Sequence, residues 1–247
     1  VVTLGRAART LVTLLALALP GPLAAQDPET RMMTPREGEL PAVARNRLSD
    51  WEAVGRLNTR GVSRLGMCSA ALIAPDTLLT AAHCVAGPDG NPTAPEMLHF
   101  AAGWYGGDHA ADSPVASYEV HPQAYAQVQL DVEHDIALVY LAEPITAVTP
   151  LKIGSTFAPP YALAGYHDHR PHRLSARFDC DGRPVHQLLF VDCPVRPGNS
   201  GGPALSGGPD WQVIGVVSAS ARGNALVVPV DEWVRGRLLQ GAPYTSE

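Results

Sequence analysis

Gly198-Asn199-Ser200-Gly201-Gly202-Pro203 fits two unrelated architectures. A serine with glycine two residues to either side satisfies the nucleophile elbow of α/β-hydrolases, where the serine tops a strand-to-helix turn. In that fold the chain order is Ser, then acid, then His. No histidine follows residue 200 here, so that order is impossible. Two stretches upstream supply the missing groups instead. Leu79-Thr80-Ala81-Ala82-His83-Cys84 brings an imidazole, and His134-Asp135-Ile136-Ala137-Leu138 brings a carboxylate at the head of an apolar run. The order is therefore His83, Asp135, Ser200.

Each of the three has an ordinary explanation taken singly: packing, a turn cap, a surface loop. Together they are the set that activates an alcohol at neutral pH. Serine is a weak nucleophile at its own pKa, so a neutral imidazole must accept its proton during attack. That imidazole needs one tautomer held fixed, which a buried carboxylate on its other nitrogen provides. The glycines around Ser200 let the N–H groups of Gly198 and Ser200 converge on a developing oxyanion.

The rest of the chain reads as an all-β protein. Its 247 residues are 46% apolar and 17% charged, a balance that supports a buried core and excludes bulk disorder. Twenty-three Gly and 23 Pro are scattered without repeats. Short apolar runs between turn residues predict strands at Ala53–Leu57, Met67–Ala74, Thr77–Thr80, Met97–Gly103, Ala116–Val120 and Ile136–Leu141. A second group follows at Ala162–Gly165, Gln187–Val191, Pro203–Leu205, Gln212–Ser218 and Ala225–Val228. Such spacing indicates a sandwich or barrels. One helix is predicted at the end, started by Asp231-Glu232, with Val230, Trp233, Val234 and Leu238 on one face. A net charge of −6 without a Lys/Arg cluster argues against binding nucleic acid or anionic membrane through bulk charge.

Residues 1–25 read as an export signal: Arg6 and Arg9, the apolar run Leu11–Leu19, a Pro20-Gly21-Pro22 break, then small residues. A membrane anchor would need about 20 apolar residues, so no stable membrane insertion is expected once the signal is removed. Residues 26–47 read as a propeptide or linker, with Arg45 and Arg47 as processing points of a zymogen, or as a disordered mature N-terminus. In an oxidising compartment Cys68, Cys84, Cys180 and Cys193 are expected to pair, and four cysteines allow three connectivities. Local pairing is the simplest of them. A four-cysteine zinc site is the alternative, but it lacks C-x-x-C spacing. Tyr166-His167-Asp168-His169-Arg170-Pro171-His172 is the best metal candidate, weighed against an inter-strand loop with solvated histidines, which is the default. His99, His109, His121, His134 and His186 show no partner pattern and are expected at the surface or in packing.

Thr80-Ala81-Ala82-His83-Cys84, Asp135-Ile136-Ala137-Leu138 and Gly198–Pro203 resemble, in order, the three signatures of secreted trypsin-like (chymotrypsin-fold) serine proteases. The resemblance covers roughly residues 51–235. It implies two perpendicular six-stranded β-barrels and a C-terminal α-helix over residues 48–247, in halves of about 48–145 and 146–247, with the cleft between them. It implies His83, Asp135 and Ser200 as the triad, with Gly198 and Ser200 as the oxyanion hole. Cys68–Cys84 matches the bridge that clamps the His loop, and Cys180–Cys193 would staple a loop beside the specificity pocket. Pro194 and Val195 fall at the pocket base, and Ser218 matches the strand residue that lines the pocket and helps hold the catalytic Asp.

Two departures stand out. Asn199 precedes the serine where many members have Asp, the residue that receives a new N-terminal ammonium on activation. No Ile-Val-Gly-Gly-like start occurs near residues 45–55. The chain is therefore more similar to the bacterial glutamyl-endopeptidase-like branch. Arg196 is either a partner for acidic substrate side chains or a solvent-facing arginine. These readings describe a secreted or periplasmic monomeric serine endopeptidase acting on polypeptides, with no cofactor and no metal. A non-catalytic binding module on the same scaffold, or a serine esterase, are the alternatives.

Overall fold

The computed structural model describes residues 1, 38–59, 67–87, 89–127 and 129–241. The expected export signal and the first part of the 26–47 stretch lie outside the described residues. The first half is a closed antiparallel barrel of β1 (Val54–Thr59), β2 (Met67–Ala74), β3 (Thr77–Thr80), β4 (Leu98–Ala102), β5 (Ala111–Val120) and β6 (Ala137–Leu141). Its order is β1-β2-β3-β6-β5-β4, and β4 returns to pair with β1. Leu78 of β3 and Val139 of β6 fill this barrel with Leu57, Leu72 and Phe100. The alternate residues Leu79 and Leu138 point the other way, into a second cluster with Tyr166, Leu205, Val216 and Val228 from the second half. Both faces of these strands are buried, which is why neither Thr77–Thr80 nor the apolar run Ala137–Leu141 alternates apolar with charged residues.

The second half is not a second closed barrel of six strands. It contains β7 (Tyr161–His167), β8 (Arg170–Cys180), β9 (Gly182–Val185), β10 (Leu188–Pro194), β11 (Pro203–Ser206), β12 (Gln212–Ala221) and β13 (Asn224–Pro229). They form one seven-stranded antiparallel half-barrel in the order β8-β7-β11-β12-β13-β10-β9. The Cys180–Cys193 bridge ties the end of β8 to β10 across the open side, and Cys68–Cys84 ties β2 to the segment after β3. The outermost strands, β8 and β9, were not among the expected strands. β8 carries Arg170, Arg173, Arg177 and Asp179, the charged pattern of an edge, so no apolar run marks it.

The stretch from Tyr166 to His172 is a strand hairpin rather than a loop; His169 and His172 are exposed as expected, and His167 is not. β7 and β8 form a tight hairpin that pairs His167 with Arg170, leaving only Asp168 and His169 in the turn. His167 thereby stays on the strand and is fully buried, with Nε2 against the Ser175 hydroxyl at 3.1 Å. Helix α1 (His83–Ala86) is a single turn after β3, and α2 (Glu232–Gln240) ends the described chain. The Asp231 side chain caps α2 by accepting from the Val234 N–H at 2.9 Å, and Val230 and Val234 are buried as the periodicity predicts. Part of the 26–47 stretch is docked on the domain. Ala42 bridges Ser175, Val43 N–H donates to Leu174 O, and Ala176 N–H donates to Pro41 O, extending the sheet alongside β8.

Burial pushes the His167 imidazole down to about 4. An unfolded histidine binds its proton near pH 6.5, so between there and pH 4 the unfolded chain holds a proton that the folded chain refuses. Stability is therefore lost as pH falls through this window, by on the order of 3 kcal/mol in total. Urea unfolding at a series of pH values checks this: His167→Gln is expected to flatten the decline relative to the parent, and parallel curves would contradict it.

Candidate active site

β3 ends at Thr80, and the chain turns into α1 so that His83 faces the gap between the halves, its side chain 21% exposed. Asp135 follows a 3-10 turn at Val132–His134 and precedes β6, where it is completely buried. Its Oδ1 accepts from the His83 backbone N–H at 2.9 Å, and its Oδ2 lies 2.6 Å from His83 Nδ1. The Ser218 hydroxyl of β12 donates to the same Oδ2. An ionised carboxylate only accepts, so Nδ1 carries the imidazole hydrogen and Nε2 is left with its lone pair.

Ser200 is held by two consecutive turns. Asn199 N–H donates to Arg196 O at 3.0 Å, closing a turn with Pro197 second and Gly198 third. Gly198 has φ of +100°, the conformation that a type II turn demands at that position. The next turn closes through Gly202 N–H to Asn199 O, with Gly201 at φ +75°. A Cβ on Gly201 would stand 2.0 Å from Thr80 Oγ1, so glycine is required by space as well as by φ. Within this loop the N–H groups of Asn199, Gly201 and Gly202 all find backbone acceptors. Those of Gly198 and Ser200 find none among the described residues.

No hydrogen bond joins the Ser200 hydroxyl to His83 among the described residues; backbone contacts connect the serine loop to the first half instead. Ser69, which the sequence did not single out, makes that connection. Its N–H donates to Ser200 O, its hydroxyl donates to Gly198 O and accepts from Tyr166 N–H, and its carbonyl accepts from Thr80 Oγ1. Cys68, next in the chain, is bonded to Cys84, the neighbour of His83. From the other side Gly201 N–H donates to Val217 O, placing Ser200 beside Ser218.

A cavity of about 310 Å³ opens beside Ser200. Val195, Pro197, Val217 and Ala219 supply apolar wall, with Ser220 and Ser218 beside them, the Ser218 hydroxyl being bonded to Asp135. Pro194 does not line it; that residue is paired with Asn224 in the sheet. Val217, Ala219 and Ser220 went unnoticed in the sequence, although they flank Ser218 on the same strand. Arg196 stands at the rim, but its guanidinium is engaged. Nε and Nη2 bind both carboxylate oxygens of Asp168 at 2.8 and 2.9 Å, and Nη2 also lies 2.7 Å from His169 Nε2. The hydrogen bonds from Arg196 hold the Asp168 carboxyl below its usual range. A larger groove of about 740 Å³ lies elsewhere, by Trp51, Phe178 and Trp211. Its charged residues, Arg47 and Asp50, bind each other at 2.6 Å and leave it no reactive group.

The one cluster with metal-ligand spacing among the described residues is Cys68, His83 and Cys84, and its two thiols are spent on a disulfide. Compared with known protein families, residues 68–216 match the model of the trypsin-like peptidase domain. No curated protein matches the chain significantly. The matched span contains all three motifs and both disulfides.

Replacing Ser69 with alanine would strand a buried N–H on Tyr166 and a buried carbonyl on Gly198. The expected cost is about 1–3 kcal/mol of folding free energy, measured by denaturant unfolding. A loss under a few tenths of a kcal/mol would show that these groups find other partners.

Proposed function

Because the chain belongs to the trypsin-like peptidase domain family, we propose that it is an exported serine endopeptidase working through an acyl-enzyme. The observation that carries this reading is the buried Asp135 carboxylate. It is bonded at once to the backbone and Nδ1 of His83 and to the hydroxyl of Ser218, the neighbour of the Ser200 loop. His83 Nε2 takes the proton of Ser200 as its oxygen attacks the peptide carbonyl. The N–H groups of Gly198 and Ser200, without acceptors among the described residues, receive the oxyanion. His83 then passes the proton to the departing amine, and a water that it activates hydrolyses the ester. Two disulfides fit an oxidising destination, and no described helix is long and apolar enough to cross a membrane.

The placement nearer the glutamyl-endopeptidase-like branch is supported by Asn199. This side chain is buried; its Nδ2 donates to Tyr166 O and its Oδ1 accepts from Arg196 N–H. The loop is thus fastened without an N-terminal ammonium. An acidic substrate preference has less support, because the Arg196 charge is already neutralised by Asp168. The walls of the cavity favour a compact aliphatic side chain before the scissile bond.

Substituting Asp135→Asn is expected to lower kcat roughly 10⁴-fold on a peptide amide while the protein stays folded, by loss of the required imidazole tautomer. A decline of less than tenfold would contradict the triad. In a substrate series varied only at the residue before the cleaved bond, Val, Leu or Ala is expected to exceed Glu and Lys in kcat/KM by at least about tenfold. Glu as the best substrate would instead mean that Arg196 leaves Asp168 to bind it.

A further inference from the structure

Glu39 is a carboxylate that no step of this hydrolysis uses, yet its side chain is only 2% exposed. Oε1 accepts from Arg170 Nη2 at 2.6 Å, and Oε2 lies 2.9 Å from His169 Nδ1. Burial alone would push this carboxyl up; the His169 hydrogen bond and the charge of Arg170 more than offset it and leave it below its ordinary value. On the far side of the imidazole, Nε2 faces Arg196 Nη2. A guanidinium can only donate, so Nε2 accepts and Nδ1 carries the hydrogen that Glu39 receives.

The connections end on the turn that presents the Gly198 N–H. Arg196 opens that turn, and its own N–H is held by Asn199 Oδ1. Asp168, gripped by Arg196, donates its backbone N–H to Pro197 O at 2.9 Å. Glu39 reaches this network because residues 39–43 are zipped onto β8, and Arg170 Nη1 also donates to Leu40 O. The anchoring residue therefore lies in the stretch expected to be a propeptide or linker.

We propose that Glu39 is a positioning residue for the oxyanion turn, acting through His169 and Arg196, and that residues 39–43 are a permanent strap of the catalytic domain. The inference rests on the serine-peptidase reading. Oxyanion donors act only within a few tenths of an ångström of their proper place, and a shift of about 1 Å costs up to about a hundredfold in rate. Loosening the network while leaving both N–H groups present is expected to cost less, about tenfold in kcat.

The test uses the full chain, with active enzyme counted by fluorophosphonate titration, and compares the parent with Glu39→Gln and His169→Leu. Both variants are expected to lose about tenfold in kcat and in labelling rate, with KM within twofold. His169→Leu breaks the link while leaving the buried Glu39–Arg170 pair whole, so it decides the matter if Glu39→Gln fails to fold. A parent that labels, with variants whose kcat per active site stays within twofold, would overturn the strap alone, as would a loss seen only in thermal stability or in KM. A parent that does not label would overturn the serine-peptidase reading and this one with it.

Discussion

The carboxylate of Asp135 is fully buried, and the two halves of the molecule are arranged so that it can be. An isolated charge at such a position would cost many kcal/mol, so it exists only where donors surround it. Two of its hydrogen bonds come from His83, after β3 of the closed barrel, and the third comes from Ser218 of the half-barrel. Neither half alone satisfies the charge. The contact cluster that includes Leu79, Leu138, Val216 and Val228 keeps water from this junction and holds the halves in register. Packing at the interface and polarity at the site are thus one constraint viewed from two sides.

The same economy governs the serine loop. Ser69 has one hydroxyl that bridges Tyr166 and Gly198 and one carbonyl that accepts from Thr80, so a single buried residue joins β2, β3, β7 and the nucleophile turn. In the proposed reaction the two N–H groups, without acceptors among the described residues, are therefore fixed before any substrate arrives. Preorganisation of that kind is where electrostatic catalysis gains most, since no dipole must reorient during the reaction. Asn199 serves the same end, its Oδ1 accepting from Arg196 N–H within the loop and its Nδ2 donating to Tyr166 O of β7.

The parts of this arrangement that the sequence revealed are local in the chain. His83, Asp135 and Ser200 sit in short motifs, and β2, β6 and the first half of β12 announce themselves as largely apolar runs because both their faces are covered. β8 and β9 were missed because edge strands carry charge and turn residues in place of such runs. Of the histidines from 167 to 172 only His167 departs from the solvated expectation, because a two-residue hairpin turn cannot be told from a longer loop by composition. Arg196 looked like a possible receptor for acids because nothing in the chain order says that Asp168 and His169 will face it. Glu39 and Arg170 lie 131 positions apart, and only the fold makes them partners.

The central claim is that these groups assemble into a working nucleophile at Ser200. Covalent labelling with a fluorophosphonate, followed by peptide mapping in the mass spectrometer, addresses it most directly. The account requires a single adduct on Ser200, stoichiometric with folded protein and absent from Ser200→Ala. Folded protein that remains unmodified, or that carries the adduct on another residue, would contradict it.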